Sequence, residues 1–239
     1  MMEIIKFLRS QTNLARRKIT NLIKDGKIRV NDKVIESFTY KLDPKKDVIK
    51  IENKLIKYKF DYVYYKFNKP KDVICSLSDS RNRKDLSFYL NKVPVSLFPV
   101  GRLDRATRGL LLFTNDGEAA NKIAHPSYRI TKYYKVEIDT VITKDHLKRL
   151  IAGIVLEDGL VNFESIECLS KREFLLSLHE GRNRIIRRTF AYLGYEVIKL
   201  KRLAIGPIQL GKLKEGELKE LTLRETRALM NALRKPSFT

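Results

Sequence analysis

An aspartate surrounded by arginines is the feature of this 239-residue sequence with the clearest chemical potential. Asp104 lies in the segment Gly101–Gly109, which also holds three cationic side chains: Arg102, Arg105 and Arg108. Nearby positive charge keeps a carboxylate ionised, and an ionised carboxylate can act as a nucleophile or as a base. The alternative is a loop aspartate that its neighbours simply neutralise. Both interpretations stay open on these residues alone.

A second candidate segment, Glu180 to Arg188, is rich in arginine at the point where a helix is predicted to begin. Its four guanidinium groups belong to Arg182, Arg184, Arg187 and Arg188. Guanidinium groups contact phosphates through paired donors, and the free N–H groups of a helix start add positive potential. The segment is therefore predicted to bind phosphate, the alternative being a solvated basic helix face.

Two adjacent tyrosines, Tyr133 and Tyr134, lie in a strand-like run that begins at Lys132. Side chains alternate across a strand, so the two rings point to opposite faces. We expect one ring to face the core and the other to be available for stacking on a nucleobase.

Several other chemistries lack their motifs. The sequence contains no phosphate-binding Gly-x-x-x-x-Gly-Lys-Ser/Thr loop, no Gly-x-Gly-x-x-Gly fingerprint and no Gly-x-Ser-x-Gly elbow. Its two cysteines, Cys75 and Cys168, are far apart, and its three histidines have no ligand-like spacing. We therefore predict no metal, no cofactor and no disulfide framework.

The charge balance indicates a polyanionic partner. The chain has 49 Lys+Arg against 28 Asp+Glu, a net charge of +21. Such an excess is typical of nucleic-acid-binding proteins, although a lysine-rich genome, a membrane surface or solubility alone are the alternatives. No apolar run approaches the roughly 18 residues of a membrane span, and the N-terminus lacks a signal-peptide segment. We expect a cytoplasmic protein with no membrane association.

The elements that must position these residues suggest two domains. Residues 1–60 hold 16 Lys+Arg and 7 Asp+Glu, so their net positive charge per residue is about twice that of the rest of the chain. We predict a small helical and β module over 1–52, a charged connector over 53–60, and a second domain over 61–239 in which strands and helices mix irregularly. Helices are predicted over 144–152, over 183–193 and after a Thr222–Glu225 capping box. The predicted fold class is α+β with a largely antiparallel sheet.

The residues around Asp104 carry a family resemblance. The segment Val100-Gly101-Arg102-Leu103-Asp104, with Thr107-x-Gly109-Leu110-Leu111-Leu112-x-Thr114-Asn115-Asp116-Gly117, resembles the signature of the pseudouridine synthases of small- and large-subunit ribosomal RNA. Tyr134 falls in the Lys-x-Tyr-x-Val motif of that family, and Glu180 to Arg188 resembles its last motif. Residues 1–52 resemble the S4 RNA-binding domain through Lys6-Phe7-Leu8, Arg16-Arg17, Leu22-Ile23-x-x-Gly26 and Val30-Asn31. Leu156 to Gly159 and Thr114 to His125 are most similar to the synthase B group, whose members act on the large ribosomal RNA.

The resemblance implies an enzyme that isomerises uridine to pseudouridine in ribosomal RNA, with 23S RNA favoured over 16S. It implies that Asp104 is the nucleophile or base, that Tyr134 packs on the target base, that Arg187 pairs with the aspartate, and that Arg102 enters the RNA where the uridine leaves. It also implies a small S4 domain before the catalytic domain, a monomer, and ribosomal RNA or an assembly intermediate as partner. The further RNA contacts are expected from Arg16, Arg17, Lys18, Arg182, Arg184 and Arg188.

Two other function classes remain open on the sequence. One is a non-catalytic RNA-binding assembly factor, and the other is a DNA-binding regulator whose N-terminal helix pair forms a helix-turn-helix. Whether the aspartate attacks C1′ or C6, or removes a proton to give a glycal, also stays open.

Overall fold

The computed structural model describes residues 2–12, 14–44, 46–57, 62–77, 83–91 and 93–234. The chain divides into two compact units. The first comprises Met1–Val63, Lys92–Phe98 and Asn115–Gly117, and the second comprises Tyr64–Asn91, Pro99–Thr114 and Glu118–Thr239. No helix among the described residues is long and apolar enough to cross a membrane.

The first unit pairs two helices with short strands. The helices are α1 (Ile4–Gln11) and α2 (Arg16–Lys24), and the strands are β1 (Met2–Glu3), β2 (Ile28–Val30), β3 (Lys33–Val34), β4 (Lys41–Leu42), β5 (Ile49–Ile51) and β6 (Lys54–Ile56). Four strands form an antiparallel sheet in the order β3-β2-β5-β6, and β1 pairs with β4. Helical spacing brings Ile19, Leu22 and Ile23 to one side of α2, where they are buried in the unit's core.

Strand β6 corrects the expectation of a connector over 53–60. Lys54–Ile56 pairs with β5 instead. Glu52 and Asn53 both have positive φ, 48° and 68°, which is the geometry of a two-residue hairpin turn. This strand has little signal in the sequence because it is only three residues long and begins with a lysine. Its first apolar residue, Leu55, is half exposed, so the strand has no buried apolar face at that position. Residues 58–60 lie outside the described residues.

The second unit is built on one mixed sheet. Its strands are β7 (Tyr64–Lys69), β8 (Phe98–Val100), β9 (Arg108–Thr114), β10 (Lys132–Ile138), β11 (Ile154–Leu156), β12 (Gly159–Val161), β13 (Ser165–Cys168), β14 (Glu173–Leu178), β15 (Val197–Ile205), β16 (Ile208–Gln209) and β17 (Leu218–Glu220). The main order is β13-β14-β10-β15-β9-β7-β17, with β16 on β15 and β8 on β9, while β11 and β12 form a separate hairpin. Strands β15 and β9 pair in parallel, and the other pairings along the main order are antiparallel among the described strands. The α+β class with a largely antiparallel sheet is confirmed.

The remaining helices are α3 (Ser87–Leu90), α4 (Gly117–Ala124), α5 (Lys144–Ala152), α6 (Ile185–Tyr192) and α7 (Leu223–Arg234), with a 3-10 turn at Pro126–Tyr128. Helix α5 has the predicted bounds, and its cap Thr143 accepts the N–H of His146 at 3.2 Å. Helix α6 begins two residues later than predicted, because Arg184 adopts a left-handed conformation with φ 47°.

The main core of this unit lies where α5 and α6 cover the sheet. Phe174 of β14 and Phe190 of α6 are fully buried there, with ring centroids 5.6 Å apart. Leu103 and Tyr134 belong to the same cluster. The residue before Asp104 is therefore anchored in the core, which places the aspartate at the core's edge.

Candidate active site

Asp104 lies in the loop that joins β8 to β9, and its side chain is half-buried. The N–H of Leu103 donates to Sγ of Cys75 at 3.3 Å, and the N–H of Thr107 donates to the carbonyl oxygen of Asp104 at 2.9 Å. Gly101 has a φ of +70°, which favours glycine because it lacks a Cβ. These contacts hold the aspartate in a defined turn.

Lys69 anchors this loop from within, although no motif of the sequence singled it out. Its side chain is fully buried at the end of β7. The ammonium group donates to the carbonyl oxygens of Pro70 at 2.9 Å, Arg105 at 3.3 Å and Thr107 at 2.9 Å. Burial lowers the pKa of Lys69 to about 8. The only signal in the sequence was a lysine immediately before the proline that ends a strand.

Tyr134 is buried and Tyr133 is exposed, so the two rings occupy opposite faces of β10 as the alternation predicts. In the sheet, Tyr134 lies between Leu176 of β14 and Arg202 of β15. Its ring lines the same cleft as Asp104. The structure thus brings two of the three predicted catalytic residues to one cleft.

Arg187, the third, is bound to backbone rather than to the aspartate. Its Nη1 donates to the carbonyl oxygen of Val197 at 2.7 Å and its Nη2 to that of Ala106 at 3.4 Å. Burial lowers the pKa of Arg187, as does Arg184, while the carboxylate of Asp104 acts in the opposite direction. Within the described residues no ion pair joins Arg187 to Asp104. Its guanidinium group therefore ties α6 to the start of β15 and to the Asp104 loop.

Arg182 and Arg188 are engaged inside the protein. Arg182 donates to the Glu180 carboxylate and to the turn of the β11–β12 hairpin, at Asp158 O (2.8 Å), Gly159 O (3.1 Å) and Leu160 O (2.7 Å). Arg188 donates to Oδ2 of Asp158 at 2.6 Å. This hydrogen bond is the main cause that lowers the pKa of Asp158. Two of the predicted phosphate ligands, Arg182 before α6 and Arg188 within it, therefore fasten the hairpin to this part of the chain.

Arg102 and Arg184 are exposed and line the cleft. In the part of the chain that the structure describes, neither guanidinium group makes a hydrogen bond or an ion pair with the protein. Unlike Arg182 and Arg188, these two arginines have all their donors available for a ligand.

The cleft has a volume of about 400 Å³, within the range of roughly 300–1,000 Å³ typical of ligand sites. Its polar wall includes two buried cations: Lys132, which is the lysine of the Lys-x-Tyr-x-Val motif, and Arg202. Among the described residues, no group of three or more His, Cys, Asp or Glu side chains is placed to hold a metal ion.

The predicted basic residues of the first unit lie on one exposed helix end. Arg16, Arg17 and Lys18 form the first residues of α2, and all three are exposed. The buried side of α2 packs into the core, so these cations face solvent. The same helix end has no side-chain cap.

Comparison with known proteins gives a consistent set of relatives. A family model described as RNA pseudouridylate synthase matches residues 63–192. An uncharacterized RNA pseudouridine synthase of Aquifex aeolicus (strain VF5) is 38% identical over 240 residues, which cover 98% of this chain and 96% of the relative. The ribosomal large subunit pseudouridine synthase B of Bacillus subtilis (strain 168) is 40% identical over 198 residues, 79% of each chain.

A solved structure agrees with the sequence matches. A crystal structure of a pseudouridylate synthase superposes with a TM-score of 0.69 at 28% sequence identity. The match covers 96% of this chain and 100% of the other. The likeness therefore extends over both units of the chain.

Proposed function

The chain belongs to the RNA pseudouridylate synthase family, and we propose that it converts a uridine of large-subunit ribosomal RNA to pseudouridine in the cleft that holds Asp104. The observation that carries this proposal is that Asp104 and Tyr134 line one cleft whose rim has unengaged arginines. The large-subunit assignment is supported by the 40% identity to the Bacillus subtilis enzyme of that name.

The reaction needs an ionised carboxylate beside the sugar. It breaks the N1–C1′ bond, turns the uracil and joins C5 to C1′, while C5 loses a proton and N1 gains one. Because it is an isomerisation, no net electrons are transferred. In our proposal Asp104 attacks as a nucleophile or removes a proton as a base.

The target uridine must leave its stack to reach Asp104. Flipping a base costs about a few kcal/mol, which contacts to the flipped nucleotide and its flanks have to offset. We propose that Tyr134 packs on the uracil, that Arg102 enters the RNA where the uridine leaves, and that Arg184 binds a flanking phosphate. Arg182 and Arg188 support the cleft wall in this proposal, since Arg182 is hydrogen-bonded through all three of its guanidinium nitrogens and Arg188 through two.

The N-terminal unit supplies additional affinity. We propose that it acts as an S4-type RNA-binding domain, with Arg16, Arg17 and Lys18 contacting phosphates. Its basic helix end would hold RNA without reading much sequence, because phosphate contacts carry no sequence information. The substrate is then ribosomal RNA or an assembly intermediate in the cytoplasm, bound by a monomer.

The test follows tritium release from ribosomal RNA labelled at C5 of uracil. The wild-type protein should release tritium, and Asp104→Asn should lower the rate at least about 10³-fold while RNA affinity is unchanged. Asp145→Asn, on the exposed first turn of α5, is the matched control and should keep the wild-type rate. Primer extension after carbodiimide treatment then maps the modified uridine. Wild-type release by Asp104→Asn would refute the site, and no release by the wild type from any ribosomal RNA would refute the function.

A further inference from the structure

Two buried cations, Lys132 and Arg202, lie on the floor of the cleft beside Tyr134. The two residues are only 6% and 4% exposed. Lys132 is two residues before Tyr134 on β10, so both point to the same face of the sheet. Arg202 is the direct cross-strand partner of Tyr134 on β15, and all three residues line the cleft with Asp104.

Neither cation is neutralised by the protein. Nζ of Lys132 donates to the carbonyl oxygen of His179 at 3.0 Å, and Nε of Arg202 donates to that of Leu110 at 2.7 Å. Within the described residues, no carboxylate forms an ion pair with either group, and Nη2 of Arg202 is buried without a hydrogen-bond partner. Burial and then the charge of Arg202 lower the pKa of Lys132 to about 8. Because buried unpaired cations are costly, the arrangement indicates that an anionic or strongly polar group enters here.

The depth of the site indicates which part of the RNA contacts Lys132 and Arg202. Phosphates are strongly hydrated and are met by exposed arginines, a role that Arg102 and Arg184 can fill. The group that penetrates furthest is the flipped base, whose ring is proposed to pack on Tyr134. The chemistry also places negative charge on that base. When the N1–C1′ bond breaks, its electron pair stays on the uracil and is delocalised over O2 and O4. In the alternative mechanism, attack of a carboxylate at C6 also places negative charge on O4.

We propose that Lys132 and Arg202 donate hydrogen bonds to the uracil carbonyl oxygens and stabilise the negative charge that the ring carries before C5 joins C1′. The ring then uses a π pair to form the C5–C1′ bond, the C5 proton leaves and N1 is protonated, so that atoms and charge balance. This inference rests on the proposed function. It assigns two further catalytic residues to the same reaction, as a preorganised site for developing charge.

The experiment separates the charge of Lys132 from its structural hydrogen bond. Lys132→Gln keeps a donor for the His179 carbonyl oxygen and removes the charge, whereas Lys132→Arg keeps the charge. Single-turnover tritium release and RNA affinity are measured for both variants and the wild type. We expect Lys132→Gln to bind RNA normally and to react about 10² to 10³-fold more slowly, with Lys132→Arg within about tenfold of the wild type.

A substrate change supplies a readout that a structural role would not move. RNA with 5-fluorouridine at the target position carries a base that is more stable as an anion. The rates on this RNA are measured as loss of the fluorinated nucleoside. The ratio of the wild-type rate to the Lys132→Gln rate should therefore be smaller on this RNA than on RNA with uridine at the target position. If Lys132→Gln melts more than about 10 °C below the wild type, the pair Arg202→Lys and Arg202→Gln replaces it, with the same order of rates expected.

The outcomes are distinct. An active wild type together with wild-type turnover by Lys132→Gln overturns this inference and leaves the proposed function intact. A loss of affinity alone also overturns it and makes Lys132 an RNA anchor. An inactive wild type refutes the proposed function, and this inference falls with it.

Discussion

The ammonium group of Lys69 donates a hydrogen bond of 2.9 Å to the carbonyl oxygen of Thr107. Thr107 in turn donates its N–H to the carbonyl oxygen of Asp104 at 2.9 Å. A buried charge on β7 is therefore only two hydrogen bonds from the backbone of the proposed catalytic residue. The loop's position depends on this cation, although the cation itself is not among the residues that line the cleft.

Lys69→Met should therefore slow the reaction more than it weakens RNA binding. Three carbonyl oxygens lose a donor, at about 1–3 kcal/mol each, while removal of a buried charge returns about 3 kcal/mol at neutral pH. We expect a net loss of about 3 kcal/mol in urea unfolding and at least about tenfold in single-turnover rate. The exposed neighbour Lys71→Met is the control, and equal rates for the two variants would contradict the anchoring role.

The same lysine predicts an unusual dependence of stability on pH. The pKa of Lys69 is about 8 in the folded protein against 10.5 for an ordinary lysine. Between these pH values Lys69 binds a proton in the unfolded chain but not in the folded chain. The free-energy cost of burying the charged ammonium group is therefore paid in full below pH 8 and vanishes above pH 10.5. The free energy of unfolding of the wild type, relative to Lys69→Met, should rise by about 3 kcal/mol from pH 8 to 10.5. Urea unfolding of both proteins at pH 7.5, 9 and 10 measures this difference. A difference in free energy of unfolding that stays the same at the three pH values would show that Lys69 is not a buried cation.

Arg184 and Arg182 are predicted to differ although they are two residues apart. The guanidinium group of Arg184 makes no hydrogen bond or ion pair among the described residues, so Arg184→Gln should reduce the slope of log affinity against log salt by about 0.7 for single-stranded RNA. Arg182 donates to Glu180 and to the β11–β12 hairpin, so Arg182→Gln should leave that slope unchanged and lower stability by about 2 kcal/mol. Salt-dependent binding titrations and thermal melting measure the two effects, and equal salt slopes for both variants would contradict the assignment.

The basic end of α2 is predicted to contribute affinity and not chemistry. The triple variant Arg16→Gln, Arg17→Gln and Lys18→Gln removes three exposed charges without touching the buried residues of the helix. We expect RNA affinity to fall at least about tenfold in 0.1 M salt, with the turnover rate at saturating RNA unchanged. A variant with full affinity would argue against RNA binding by this helix.

Local features of the fold were predictable from the sequence. The Thr222–Glu225 capping box is present, with Oγ1 of Thr222 accepting the N–H of Glu225 at 3.2 Å and the Glu225 carboxylate accepting the N–H of Thr222 at 2.9 Å. The opposite faces of Tyr133 and Tyr134 also followed from the strand period. Such features depend on residues within a few positions of one another, which a sequence pattern records directly.

The rest depends on contacts between distant residues. Lys69 meets carbonyl oxygens that lie 36 and 38 residues later, and backbone carbonyls leave no signature in side-chain types. The acceptors of Arg182 lie 22 to 24 residues earlier in the sequence. Two of the arginines predicted to bind phosphate, Arg182 and Arg188, therefore form hydrogen bonds within the protein instead. The roles of Asp104, Tyr134 and Arg187 in the reaction stay predictions.

Gly109 is predicted to be the least replaceable glycine beside the Asp104 loop. It has a φ of +103°, and a Cβ added there would lie 2.2 Å from the carbonyl oxygen and 2.7 Å from the nitrogen of Arg202. These backbone atoms belong to the parallel β9–β15 pairing in the middle of the sheet, so they cannot move without breaking it. Gly109→Ala should lose more than about 4 kcal/mol or fail to fold, measured by soluble yield and thermal melting. Gly181→Ala, whose Cβ would meet nothing within 4 Å, should stay within about 0.5 kcal/mol of the wild type. A stable Gly109→Ala protein would mean that β9 and β15 can separate. Tyr134, Arg202 and Gly109 are paired across three neighbouring strands, and this part of the sheet would then not be rigid enough to hold the guanidinium group of Arg202 in place for catalysis.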